Sequence, residues 1–273
     1  MQSSMVVVDK SFLQGESVLA MRKFATQNRV LMTEALLYEL LSNPVDRRSC
    51  FLKLPPGENP VEIVMPCGYY LSKEINTRKL APRPSKGIHR LRFQFNDALL
   101  QDDYVLPPEA ARTLEEQRQE LSRDIASLRE RACCMNTFFP DLASLNSAKR
   151  QPARAAAEKA VGEPGSLRDF YASLRAPKGA RRSPPVRIIT DDWALYRWLQ
   201  IDMLFGIDLY FRFGPAIIEP LSPAAEEELE HDVLDAQYLL VGVLEGRFAT
   251  NEKKLRRWFR TILPHGTLIG KDA

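Results

Sequence analysis

The sequence predicts an α/β fold: a central parallel sheet flanked by helices, interrupted by a largely helical insertion. Short apolar runs suited to buried strands alternate with runs of helical apolar spacing at both ends of the chain. The middle instead carries long charged stretches punctuated by proline. At 273 residues and 45% hydrophobic content, the chain can bury one large core with an insertion beside it. The α/β domain is expected over 1–75 and 186–273, and the insertion over 76–185.

The elements follow in order. Met5-Val6-Val7-Val8 is a strand that stops on Asp9, and after Ser11 to Gly15 the residues Val18, Leu19, Met21, Phe24 and Ala25 stripe a helix over 16–27. Arg29 to Met32 reads as a second strand running into Thr33, an N-cap for a helix that buries Leu36, Leu37, Leu40 and Leu41. Alternation of this kind argues for a parallel sheet covered on both faces. Val61 to Met65 reads as a strand and Tyr69 to Thr77 as a helix; Leu91 to Phe95 is a strand or a short amphipathic element. Pro107-Pro108 opens a long charged helix whose apolar residues Leu114, Leu121, Ile125 and Leu128 form a narrow seam, suited to packing or to an oligomer contact. Residues 144–165 read as a linker or frayed helix, and the basic stretch 176–185 breaks any helix. Structure resumes at Val186, with Asp191 a cap for the helix from Trp193 to Phe213. The chain closes with a helix over 226–245, a strand over 247–249, a helix over 253–263 and a last strand, Thr267-Leu268-Ile269.

Composition narrows the function classes. A net charge of +3 is too small for global nucleic-acid binding, so any basic surface is local. Cys50, Cys67, Cys133 and Cys134 lack zinc-type spacing and read as reduced thiols of a cytoplasmic protein. The start lacks the basic region of a signal peptide and reaches a charge too soon for one, and Arg197, Gln200, Asp202 and Asp208 interrupt the most apolar helix, which argues against a membrane span.

Four acidic segments stand on these elements. They are Asp9-Lys10-Ser11 after the first strand, Thr33-Glu34-Ala35-Leu36-Leu37-Tyr38-Glu39-Leu40 on an early helix, Asp235-Ala236-Gln237-Tyr238-Leu239 on a late helix, and Thr250-Asn251-Glu252 after a late strand. In order and context this resembles the PIN-domain family, compact metal-dependent nucleases with a central parallel sheet. The resemblance covers roughly residues 1–45 and 186–273. It implies that Asp9 is the first metal ligand, supported by Ser11; that Glu39, about two helical turns after Thr33, is the second, with Glu34 as the competing assignment; that Asp235 is the third, with Asp232 nearby; and that Glu252 is the fourth. The family usually has aspartate in a Thr-x-Asp motif at the last station, so Glu252 departs from it by one methylene.

Clustered carboxylates repel one another and raise their own pKa values unless a cation neutralises them. Mg²⁺ or Mn²⁺ suits such a pocket, because two or three carboxylates suffice and a substrate phosphate completes the shell. The implied activity is an endoribonuclease that hydrolyses single-stranded or structured RNA through a metal-activated water. The resemblance also admits a toxin or defence role and an inhibitory protein partner. Lys253, Lys254, Arg256 and Arg257 follow the last acidic station and suit phosphate contact, while Trp258 and Phe259 suit either base stacking or the core. A second basic cluster, which includes Lys149, Arg150, Arg154, Lys178, Arg181 and Arg182, suits solubility equally well.

Other readings stay open. Asp9 also suits a helix cap, Glu34 a first-turn acid that complements the helix dipole, and Asp232 and Asp235 a solvated acidic face. A structure-specific DNA nuclease, or a catalytically silent RNA- or protein-binding scaffold, are the rival functions.

Overall fold

The structure is a computed structural model that describes residues 4–55, 61–88, 97–143, 147–173 and 183–271. Within the chain two compact units form: one from 1–69, 82–119 and 237–273, the other from 70–81 and 120–236.

The first unit is α/β. Its strands are β1 (Ser4–Val8), β2 (Asn28–Thr33), β3 (Glu62–Val64), β4 (Arg247–Ala249) and β5 (Thr267–Ile269), in the spatial order β3-β2-β1-β4-β5 with every pairing parallel. The central strand is β1, where Val6, Val7 and Val8 are fully buried, as expected of a strand covered on both faces. Val7 lies opposite Leu31 of β2 and Phe248 of β4, and Val8 opposite Ala249. The strand order therefore reverses between β1 and β4.

The connections are helical. After β1 come α1 (Lys10–Gly15) and α2 (Val18–Gln27), after β2 come α3 (Glu34–Ser42) and α4 (Pro44–Phe51), and between β4 and β5 lies α12 (Lys253–Ile262). The Thr33 hydroxyl accepts from the backbone N–H of Leu36 at 3.0 Å, the expected cap, and Leu36 and Leu40 reach the core. On α12, Trp258 and Phe259 are fully buried, so both belong to the core. The short helix α1 was not foreseen; Asp9 caps it, which explains why it begins directly after the strand. Helix α11 (Pro223–Glu245) belongs to the second unit up to Ala236 and to the first from Gln237. It ends at Gly246, whose φ of +82° is the left-handed conformation that stops a helix and turns the chain into β4.

The second unit is helical. It holds most of α5 (Cys67–Thr77), α6 (Pro108–Cys133) from residue 120, α7 (Met135–Phe138), α8 (Ser147–Gly162), α9 (Arg168–Ser173), α10 (Ala194–Phe213) and the first part of α11. Helix α10 is its axis: Tyr196, Ile201, Leu204, Phe205, Ile207 and Leu209 are all buried, and it packs on α8 and α7. The stretch read as a linker or frayed helix is α8, an alanine-rich helix whose Ala157 and Val161 reach the core. The buried seam of α6 includes Leu121 and Leu128.

The cap of α10 differs from expectation. Trp193 is the N-cap residue and its side chain makes no capping bond. The first N–H groups are taken by a carboxylate from α5: Glu74 accepts from Ala194 and Leu195, each at 2.9 Å, and from Ala81 at 3.0 Å. Leu91 to Phe95 and the basic residues Lys178, Arg181 and Arg182 lie outside the described residues.

Candidate active site

The carboxyl ends of β1 and β4 meet where the strand order reverses, the position at which open α/β sheets present a ligand crevice. Asp9 leaves the end of β1 and its backbone N–H donates to Ala249 O of β4 at 3.2 Å. The Asp9 side chain is only 1% exposed and turns back to cap α1, accepting from Phe12 N at 2.8 Å. Two hydroxyls complete its surroundings. Ser11 Oγ lies 3.0 and 2.9 Å from the two carboxylate oxygens, and Thr250 Oγ1 donates to Oδ2 at 2.5 Å.

Those hydroxyls are themselves held from the β4 side. Asn251 N donates to Ser11 Oγ at 2.9 Å, and Glu252 N donates to Thr250 Oγ1 at 3.0 Å. Segments 9–11 and 250–252 thus form one polar node. Burial pushes the Asp9 carboxyl up to about 6; the bonds from Thr250, Phe12 and Ser11 pull against that rise, and the nearby Glu252 charge adds to it. Glu252 stands at the start of α12 as its N-cap and accepts from Lys254 N at 3.4 Å.

Glu39 is joined to this node through the residue after Asp9. Lys10 Nζ lies 2.9 Å from Glu39 Oε1 and 2.8 Å from Asp46 Oδ2. Tyr238 OH donates to the other Glu39 oxygen at 2.5 Å. Burial alone would lower the Lys10 pKa, but Asp46 and Glu39 outweigh it and raise it, so Lys10 is a firm ammonium. Sequence reasoning gave no role to Lys10 or to the Tyr238 hydroxyl. A lysine directly after the first acid was the available signal, but its partner 29 residues away leaves no local mark.

The remaining candidates are placed as follows. Glu34 stands in the first turn of α3, where an acid complements the helix dipole. Asp232 and Asp235 lie on the part of α11 that belongs to the second unit; Asp232 is buried and paired with Arg212, and Asp235 is half-buried. On α12, Lys253 and Arg257 are exposed and Lys254 is half-buried. Arg256 is buried, and its guanidinium donates to Thr250 O at 3.0 Å and to Ile269 O at 3.4 Å, bracing the ends of β4 and β5. In the second unit Arg154 pairs with Asp208 at 2.6 Å and with Glu158 at 2.9 Å.

Among the described residues no group of three or more His, Cys, Asp or Glu side chains is arranged to hold a metal ion. The Asp9 and Glu252 pair nonetheless has the chemistry of a site for a hard cation. Both offer oxygen donors, and the Glu252 charge adds a minor part to the rise that burial imposes on Asp9. Mg²⁺ binds through one or two carboxylates while keeping several waters, so a pair meets its needs.

No family model matches the sequence, and no curated protein or solved structure matches the chain. None of the four cysteines forms a disulfide, and among the described residues no helix is long and apolar enough to cross a membrane.

Proposed function

We propose that this chain is a metal-dependent endoribonuclease of the PIN-like kind, acting in the cytoplasm with Mg²⁺ or Mn²⁺. The observation that carries the reading is the 2.5 Å bond between Thr250 and Asp9, which joins two segments 241 positions apart at the sheet's reversal point. A buried acid with a raised pKa at such a crevice is a candidate for a functional site.

In this reading Asp9 and Glu252 hold the cation. When bound, it supplies a water of lowered pKa and neutralises charge on the phosphate. Ser11 and Thr250 fix the rotamer of Asp9, and their own hydroxyls are oriented by the N–H groups of Asn251 and Glu252. Lys253 and Arg257, exposed at the start of α12, attract the phosphate backbone and offset the repulsion of the acids. Asp235, which the family resemblance names as a further ligand, lies in the second unit, and RNA rather than DNA enters as the substrate only through that resemblance.

One observation favours a second reading, a silent RNA-binding scaffold: the Glu39 charge is already paired with Lys10 and its second oxygen accepts from Tyr238. The two separate in one experiment. Purified protein is incubated with a mixed RNA pool, and in parallel with DNA, in Mn²⁺, in Mg²⁺ or in EDTA, beside Asp9→Asn and Asp235→Asn variants. The nuclease gives metal-dependent RNA cleavage that Asp9→Asn abolishes. RNA binding that is unchanged by EDTA, with no cleavage in either metal, overturns it in favour of the scaffold.

A further inference from the structure

The first unit places the Lys10 ammonium between two acids from different helices. From the first residue of α1, Lys10 Nζ lies 2.9 Å from Glu39 Oε1 on α3 and 2.8 Å from Asp46 Oδ2 on α4. The second oxygen of each acid is also taken. Tyr238 OH donates to Glu39 Oε2 at 2.5 Å, and Gln14 Nε2, about one turn after Lys10 on α1, donates to Asp46 Oδ1 at 2.9 Å. The Glu39 and Asp46 side chains are only 12% and 15% exposed, so solvent screens their charges poorly.

Two largely buried carboxylates facing one point repel each other, and such a pair calls for a cation. Hard oxygen donors of this kind suit a divalent ion, which is the role the family resemblance gives to Glu39. Here the chain supplies the cation itself. An ammonium is a compact point charge, closer in shape to a bare ion than a planar guanidinium is. Its tether to α1 gives it an effective concentration of order millimolar or more. A divalent ion entering between Glu39 and Asp46 would have to displace Lys10, Tyr238 and Gln14 together. Asp9 differs, because it accepts from neutral groups, the hydroxyls of Ser11 and Thr250 and the N–H of Phe12.

We infer that the Lys10 ammonium permanently fills a cation position between Glu39 and Asp46, so that this chain binds one divalent ion, at Asp9 and Glu252, rather than a pair. The count of one rests on the nuclease reading; the exclusion of metal by Lys10 does not. Two-metal hydrolysis clamps the attacking and leaving oxygens between ions roughly 3.5–4 Å apart. That clamp is closed to this chain while Lys10 stands between the acids.

The test is titration of full-length protein with Mn²⁺, with the free ion read by electron paramagnetic resonance and the fold by circular dichroism. The proteins are wild type, Glu39→Gln, Asp9→Asn, Asp9→Asn/Lys10→Met, and the last with Glu39→Gln added. Wild type is expected to bind about one ion, lost in Asp9→Asn and unchanged in Glu39→Gln. Adding Lys10→Met to Asp9→Asn creates a new saturable site of about one ion, which Glu39→Gln then abolishes, and Mn²⁺ raises the Tm of the Lys10→Met protein. A loss of about tenfold or more in the Mn²⁺ affinity of a folded Glu39→Gln protein overturns the inference, since Glu39 is then a ligand despite Lys10. So does a Lys10→Met protein whose Mn²⁺ binding and Tm response match those of Asp9→Asn alone, which makes Lys10 an ordinary structural ion pair. If Lys10→Met prevents folding in chelator, recovery of the circular dichroism on adding Mn²⁺ supports the inference and failure to recover overturns it. The nuclease reading fails separately: wild type that neither binds Mn²⁺ nor cleaves RNA sinks that reading, while the Lys10→Met proteins, measured in the Asp9→Asn background, still decide the exclusion.

Discussion

Two buried carboxylates, Asp9 in the α/β unit and Glu74 in the helical unit, do the same local job with different partners. Each takes backbone N–H groups at the start of a helix, and burial raises the pKa of each. Glu74 is fully buried, and the bonds that pull its pKa back come from the backbone N–H groups of Ala81, Leu195 and Ala194, which cannot turn away. Asp9 takes one backbone N–H and leans on two hydroxyls that can rotate, with a second acid close enough to oppose it. A carboxylate fixed by the main chain serves architecture. One held by rotatable hydroxyls beside another acid can give up its partners to a cation.

Breaking each acid should give opposite signatures. Asp9→Asn is expected to cut Mn²⁺-dependent RNA cleavage by at least about 100-fold. The same change should move Tm by no more than about 3 °C, because the hydrogen bonds it weakens are offset by the burial cost it removes. A large loss of Tm with cleavage per folded molecule intact would make Asp9 a mere cap. Glu74→Ala should do the reverse, costing about 3 kcal/mol in urea unfolding because it strands buried N–H donors of α10, with cleavage per folded molecule unchanged.

Acidity sharpens the contrast. The folded-state pKa of Asp9, about 6, lies above its ordinary value of 3.8, so the native state holds more protons than the unfolded state between these values. Its stabilising contribution is complete below pH 4 and is lost as pH rises through 6, a change of up to about 3 kcal/mol. Denaturation curves at pH 4, 5, 6 and 7 should show a steeper decline than in Asp9→Asn, where other raised acids such as Glu74 still contribute; parallel profiles for the two proteins would refute the assignment. The smallest effect is expected from Thr250→Val, which removes one charge-assisted donor and costs about 1.5 kcal/mol at pH 7. Equal stability of this variant and the wild type would show that the Thr250 hydroxyl does not hold the buried charge.

The α/β unit was legible because its strands are short apolar runs and its helices repeat at 3.6 residues; Val6 to Val8, Thr33 and the Leu36 to Leu41 stripe all stand where the pattern put them. Segments 9–11 and 250–252 were legible as polar residues just past strand ends, and they meet. What stayed hidden depends on pairing across long intervals. Lys10 with Glu39 and Asp46, and Glu74 with Ala194, span separations that no periodicity encodes. Asp191 looked like the cap of α10 because proximity in sequence favours it, yet a side chain 120 positions earlier takes the N–H of Ala194. Two of the four passages between units occur inside α6 and α11, at residues 120 and 237, where no proline or glycine marks a boundary.

Glu74 also makes residues 70–81 and 120–236 mutually dependent pieces of a single unit. A fragment spanning 120–236 alone is expected to fold poorly and to recover when supplied with a synthetic peptide of 70–81, whereas the Glu74→Ala peptide fails to rescue it. The helical unit would then behave as a receptor with a detachable, covalently supplied ligand, which makes it a natural place to split this protein into complementing halves.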